Sequence, residues 1–142
     1  MTAPRTLTWP RDGACLAARN ARTNRLLAGR ARVAATRKAR RIGLLGHGGL
    51  SPGQGLWIVP SRGVHTCGMR FAIDLVALDD CGRVVDLVPS FGPWRVRLPR
   101  DRCLGVLELP PGTIALSGTR LGDPIVFEKV QDESDATGGC AA

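Results

Sequence analysis

The chain has 142 residues and carries 20 Lys and Arg against 12 Asp and Glu, a formal charge of +8 at neutral pH. With 4% aromatics, no Tyr, 18 Gly and 10 Pro, the composition excludes an aromatic-rich core and fits one modest domain of short strands and many turns. No run of 18 apolar residues is present and no apolar leader segment opens the chain, so a cytoplasmic protein without a membrane partner is expected.

The charge is unevenly spread. Residues 1–46 hold 11 basic side chains and one acid, Asp12, whereas residues 47–142 carry a small net negative charge. A basic third of this kind points to weak nucleic-acid contact through residues 1–46, or simply to a solvated basic face. Five cysteines lie at 15, 67, 81, 103 and 140. An odd number without a Cys-x-x-Cys pair fits reduced thiols.

In chain order, residues 1–22 are weakly patterned and read as a loosely ordered basic arm or a poorly defined first strand. A single domain is expected over residues 23–130. Leu26–Ala34 is partly alternating and reads as a strand, with Leu27, Ala31 and Val33 among its inward candidates. Thr36 is placed to cap a short helix over Arg37–Ile42, which Gly43 or Gly46 would end. His47–Gly55 is rich in glycine but lacks the Gly-Lys-Ser/Thr ending of a phosphate loop.

Leu56–Val59 reads as a short strand stopped by Pro60. Phe71–Leu78 is apolar except for Asp74, and Asp79-Asp80-Cys81-Gly82 turns the chain into a second β-rich run, Arg83–Val88, so the pair reads as a hairpin. Ser90–Arg95 reads as a loop, Trp94–Leu98 as an edge strand, Cys103–Leu109 as a strand, Thr113–Ser117 as a helical turn and Pro124–Val130 as a last strand. Residues 131–142 are polar and expected to be disordered. These elements predict a mainly β fold, a small antiparallel β-sandwich or partly closed barrel with one or two short helices.

Two features single out the central stretch. Asp74 lies among apolar neighbours, where a carboxylate needs a partner, and Arg70 is the nearest in sequence. His65, Cys67 and Met69 alternate, so an extended backbone would put them on one face unless Gly68 bends it. The run Val64-His-Thr-Cys-Gly-Met-Arg-Phe-Ala-Ile-Asp-Leu-Val76, followed by Leu78-Asp-Asp-Cys-Gly-Arg-Val-Val85, resembles the signature of a bacterial and archaeal family of unknown function, DUF 192, also called UPF 0127. Thr36–Gly46, Leu50–Leu56, Pro93-Trp-Arg95, Val106–Thr113 and Leu121-Gly-Asp123 match in the same order, so the resemblance covers residues 26–130. It implies a small β-rich domain and no particular activity. Cys67 stands where that family usually has an aromatic, and Gln54 where it often has an acid.

The residue types favour a binding or accessory module for a small anionic ligand, with His65, Arg70 and Asp74 as the site and Trp94 and Arg95 on its rim. An imidazole and a guanidinium bind carboxylate or phosphate, and an acid can orient the guanidinium. The alternatives are a hydrolase- or transferase-like enzyme using His65 and Asp74 with Cys67, and polyanion binding through the basic third. Three ligands along one strand would span about 13 Å, so no metal is expected at His65, Cys67 and Met69. No cofactor is expected, and the chain reads as a monomer.

Overall fold

The structure, a computed structural model, describes residues 11–98 and 102–130. Among these, β1 (Cys15–Asn20), β2 (Arg25–Ala34), β3 (Gln54–Ile58), β5 (Ile73–Leu78), β6 (Val84–Phe91), β8 (Gly105–Leu109) and β9 (Ile125–Lys129) form one sheet in the order β6-β5-β8-β3-β2-β1-β9. A two-stranded ribbon of β4 (Val64–His65) and β7 (Val96–Arg97) packs beside it. The two helices are α1 (Arg37–Ile42) and α2 (Thr113–Ser117). Neither is long and apolar enough to cross a membrane.

The mainly β class and the two short helices are as the sequence predicts. The sheet curls so that its edges meet at one end. Arg83 bridges Pro124 just ahead of β6 and β9, and the Ile125 amide donates to the Gly82 carbonyl at 2.8 Å. The result is the partly closed barrel.

Residues 15–20, read as part of a loosely ordered arm or a poorly defined first strand, form a strand between β2 and β9. One expectation is corrected: the sheet is not wholly antiparallel, because β2 and β3 run parallel, with Arg30 opposite Gln54 and Ala34 opposite Ile58. A parallel pair needs a long crossover, and residues 35–53 supply it. Within that crossover the Thr36 hydroxyl accepts from the Ala39 amide, and the Asp12 carboxylate accepts from the Ala35 and Thr36 amides. The expected cap and helix are therefore present, with Gly43 ending α1. Residues 1–10 of the expected arm and the expected tail at 131–142 lie outside the described residues.

The central strands are buried on both sides. Trp57, Val76, Leu78, Leu107 and Leu109 project to one face, where they pack with Leu16, Leu27, Val33 and Ile125 of the curled sheet and with Ile114 of α2. Leu56, Ile58, Ile73, Leu75, Ala77 and Val106 project to the other, beneath Leu44, Val64 and Met69. Side chains alternate between faces along each strand. Asp74 therefore points with Val76 to the α2 face, and Glu108 points with Val106 to the opposite face.

The far end of the sheet is tied by charge. Arg22 donates to both Asp123 oxygens, at 2.7 and 2.9 Å, and Asn20 donates to Thr119 and Asp123. This network joins the β1–β2 turn to the Leu121-Gly-Asp123 loop, and the Arg22 guanidinium holds the Asp123 carboxyl below the ordinary range.

Close packing sets the limits at Gly105. A Cβ there would stand 2.6 Å from the Trp57 ring and 2.7 Å from the Ile58 carbonyl oxygen. Gly105→Ala is expected to lower unfolding stability by about 1–3 kcal/mol in urea titrations. Gly48→Ala, with open space around the new methyl, should stay within about 0.5 kcal/mol of the wild type.

Candidate functional site

The five residues singled out in the sequence do not form one site. Asp74 is wholly buried, and its two carboxylate oxygens accept from the Ser90 amide at 2.9 Å and the Ile114 amide at 2.8 Å. The Ser90 contact fills an irregularity in the β5–β6 pairing, where Ile73 faces Phe91 but Leu75 faces Val88. The Ile114 contact satisfies one of the free amides in the first turn of α2. Asp74 thus joins a β-bulge to a helix. Arg70 is exposed and makes no ion pair with a described residue, so the expected Arg70–Asp74 pair does not form.

His65 lies on the other side of the sheet from Asp74. It is exposed at the end of β4, paired with Val96. Just beyond it the chain turns, with the Met69 amide donating to the Thr66 carbonyl and Gly68 at φ +86°. That turn breaks the alternation, so His65 is exposed, Cys67 half-buried and Met69 buried. Asp74 cannot orient His65 across the sheet, and the His65–Asp74–Cys67 arrangement is not assembled.

Trp94 and Arg95 belong to the ribbon's support. Thr66 is fully buried, its hydroxyl donates to the Gly92 carbonyl, and it accepts from the Arg95 amide. The Trp94 amide donates to the Thr66 carbonyl, which holds Trp94, a residue 73% exposed, at φ 59°. A left-handed conformation is rare for so bulky a residue and persists where surrounding bonds fix it.

The structure brings a different set together. An open cavity of about 750 Å³ lies between α1, the loop after it, the segment 60–65 and the sheet face bearing Glu108. Its apolar wall includes Leu44, Ile58, Val64 and Met69. Arg37, Arg40, Arg41, Arg62 and His65 supply the basic side chains, and among the described residues Glu108 is the single acid lining it.

Glu108 is 3% exposed. Its register partners on the two neighbouring strands are Leu56 and Leu75. Neither side chain can donate a hydrogen bond, and Oε2 has no partner. Burial alone pushes the carboxyl up to about 8, so the group is mostly neutral at pH 7. Arg40 donates through Nη1 to the Pro60 carbonyl at 3.1 Å, but its buried Nε has no partner either.

Sequence reasoning passed over Glu108, although its signal matched that of Asp74: a lone acid in the apolar strand Gly105-Val-Leu-Glu-Leu109. The α1 cations were visible as a charged helix, but not their position over a cavity.

Residues 18–127 match the family model for DUF192, described as "Uncharacterized ACR". The chain belongs to the DUF192 family. A "UPF0127 protein" from Thermococcus sibiricus is 31% identical over an alignment of 84 residues that covers 56% of this chain. The chain matches just 54% of that relative's length. Two solved structures share the DUF192 chain's fold. A proposed transcription regulator from Sinorhizobium meliloti 1021 superposes with a TM-score of 0.71 at 19% identity, covering 84% of this chain and 98% of that one. A protein of unknown function from Novosphingobium aromaticivorans superposes with a TM-score of 0.69 at 18% identity, covering 87% and 94%. Asp74, Glu108 and all the cavity-lining residues fall within the DUF192 match.

Glu108 gives stability a pH dependence of defined sign. The folded carboxyl holds its proton to about pH 8, while the unfolded one releases it near 4.5. Stability is therefore expected to fall as pH rises from 4.5 to 8, then level off, with a total span on the order of 5 kcal/mol. Denaturant titrations across that window should show the fall in the wild type and its loss in Glu108→Gln.

Asp74→Ala should lower stability by about 2–4 kcal/mol because two amides lose their acceptor. Arg70→Ala should change it by less than about 0.5 kcal/mol. Equal losses in the two variants would mean that they are paired after all.

Proposed function

We propose that the protein is a small binding module whose cavity takes a small organic anion. The observation that carries this reading is the grouping of Arg37, Arg40, Arg41 and Arg62 around one cavity that also has apolar side chains in its wall. Guanidinium groups offer paired donors to carboxylate or phosphate oxygens. Leu44, Ile58, Val64 and Met69 give the carbon portion of a ligand an apolar surface. His65 stays in the site as a rim residue. Arg70, Asp74, Trp94 and Arg95 are not among the lining residues, and we assign the ligand contacts instead to the arginines of α1 and to Arg62.

The basic third of the chain also motivates a polyanion reading, and salt separates the two. Phosphate-backbone binding falls steeply with ionic strength through counterion release. A small anion held by one or two arginines has a much shallower dependence.

Calorimetric titration with hexanoate and hexyl phosphate tests the proposal. Arg40→Ala and Arg62→Ala should each weaken binding by roughly tenfold, as expected for removing one charge-assisted hydrogen bond. Arg70→Ala should leave it within about twofold. An equal loss in Arg70→Ala would show that general charge, rather than the cavity, attracts the anion.

A further inference from the structure

Two polar groups in the cavity's wall have no partner, and they are opposite in character. Arg40 Nε is a donor and Glu108 Oε2 an acceptor, and both are cut off from water. They come from different elements, α1 and β8, and line one cavity without bonding each other. Native proteins seldom leave buried polar groups unpaired. A leucine at position 108 would match its neighbours Leu56 and Leu75 and avoid burying a carboxyl without a donor.

We infer that Glu108 forms a second subsite that recognises a hydrogen-bond donor, so that the ligand is bifunctional: an oxyanion at one end and an amine or hydroxyl at the other. The inference rests on the anion-binding reading for the arginine end. A carboxyl group has up to four acceptor sites and at most one proton, so a donor is the group that complements it. Among the described residues, the charged and titratable groups that line the cavity with it are Arg37, Arg40, Arg41, Arg62 and His65, all of them basic. A ligand carrying its own anion can pass that basic rim, whereas a simple amine meets like charge.

The two donor types leave different traces. An ammonium group favours the ionised carboxyl, so the Glu108 proton passes to buffer and a charge-assisted N–H···O bond forms. A hydroxyl donates to Glu108 without any proton release.

The test uses the full chain and three ligand series of matched length: hexanoate, 6-hydroxyhexanoate and 6-aminohexanoate, each with shorter and longer homologues. Binding is measured by calorimetry at pH 7 in two buffers of different ionisation enthalpy. At the best length, the hydroxy or amino acid should bind roughly tenfold tighter than the plain alkanoate. Glu108→Leu, expected to fold at least as stably, should erase that advantage and leave alkanoate affinity within about twofold. Glu108→Gln, which keeps an acceptor oxygen but no charge, should retain a hydroxyl preference and lose an amine preference. Release of nearly one proton marks the amine and none marks the hydroxyl. If alkanoates bind as tightly as their donor-bearing analogues, or the advantage survives in Glu108→Leu, the donor subsite is wrong and the anion site stands. If no member of any series binds, both fall.

Discussion

Strands β3, β5 and β8 have no solvent-facing side. One face packs inside the curl of the sheet, against side chains of β1, β2 and β9 together with Ile114 of α2, and the other lies beneath the α1 crossover and the β4–β7 ribbon. A carboxyl group in such a strand must find donors within the protein or give up its charge. The sheet holds one of each kind. Asp74 faces α2 and meets two backbone amides. One register step away on the next strand, Glu108 faces the other way, lies between Leu56 and Leu75, and meets none. The first ties the fold together. The second is tolerated at a stability cost and opens onto a cavity with a basic wall.

That cavity follows from the topology. The parallel pairing of β2 and β3 forces a crossover over one face of the sheet, and α1 with its arginines lies in it. The opposite wall comes from the segment leading into the β4–β7 ribbon. Buried Thr66 holds the ribbon by bonding to Gly92 and Arg95. Gly63 allows close approach to β7, since a Cβ there would stand 2.7 Å from Leu98 and 2.9 Å from the Arg97 carbonyl oxygen. Trp94 and Arg95 thus shape the ribbon that bounds the site rather than the site itself.

Much of the fold was legible because its signals are local. Apolar runs bounded by Gly, Pro and Asp gave most strands, the Asp79–Gly82 turn and the capped α1. The parallel pairing was hidden because no local feature names a strand's partner. β1 was hard to see because Cys-Leu-Ala-Ala-Arg-Asn uses small side chains whose alternation is weak. The site was less legible than the fold. Asp74 and Glu108 carry the same local signature, and only sheet order and side-chain parity show which of them is satisfied. Arg70 was chosen for Asp74 by closeness in sequence. The turn at Gly68 leaves Arg70 exposed, while Asp74 is already bonded on the far face.

The state of the Glu108 carboxyl decides most of this reading. It is measured directly by carbon-13 NMR of a protein labelled at its glutamate side-chain carboxyls, with the signal assigned by its absence in Glu108→Gln. The expected titration midpoint is about 8, well separated from those of solvent-exposed glutamates. A midpoint near the ordinary 4.5 would mean that water or a donor reaches the group, and the unpartnered acceptor at the cavity wall would not exist.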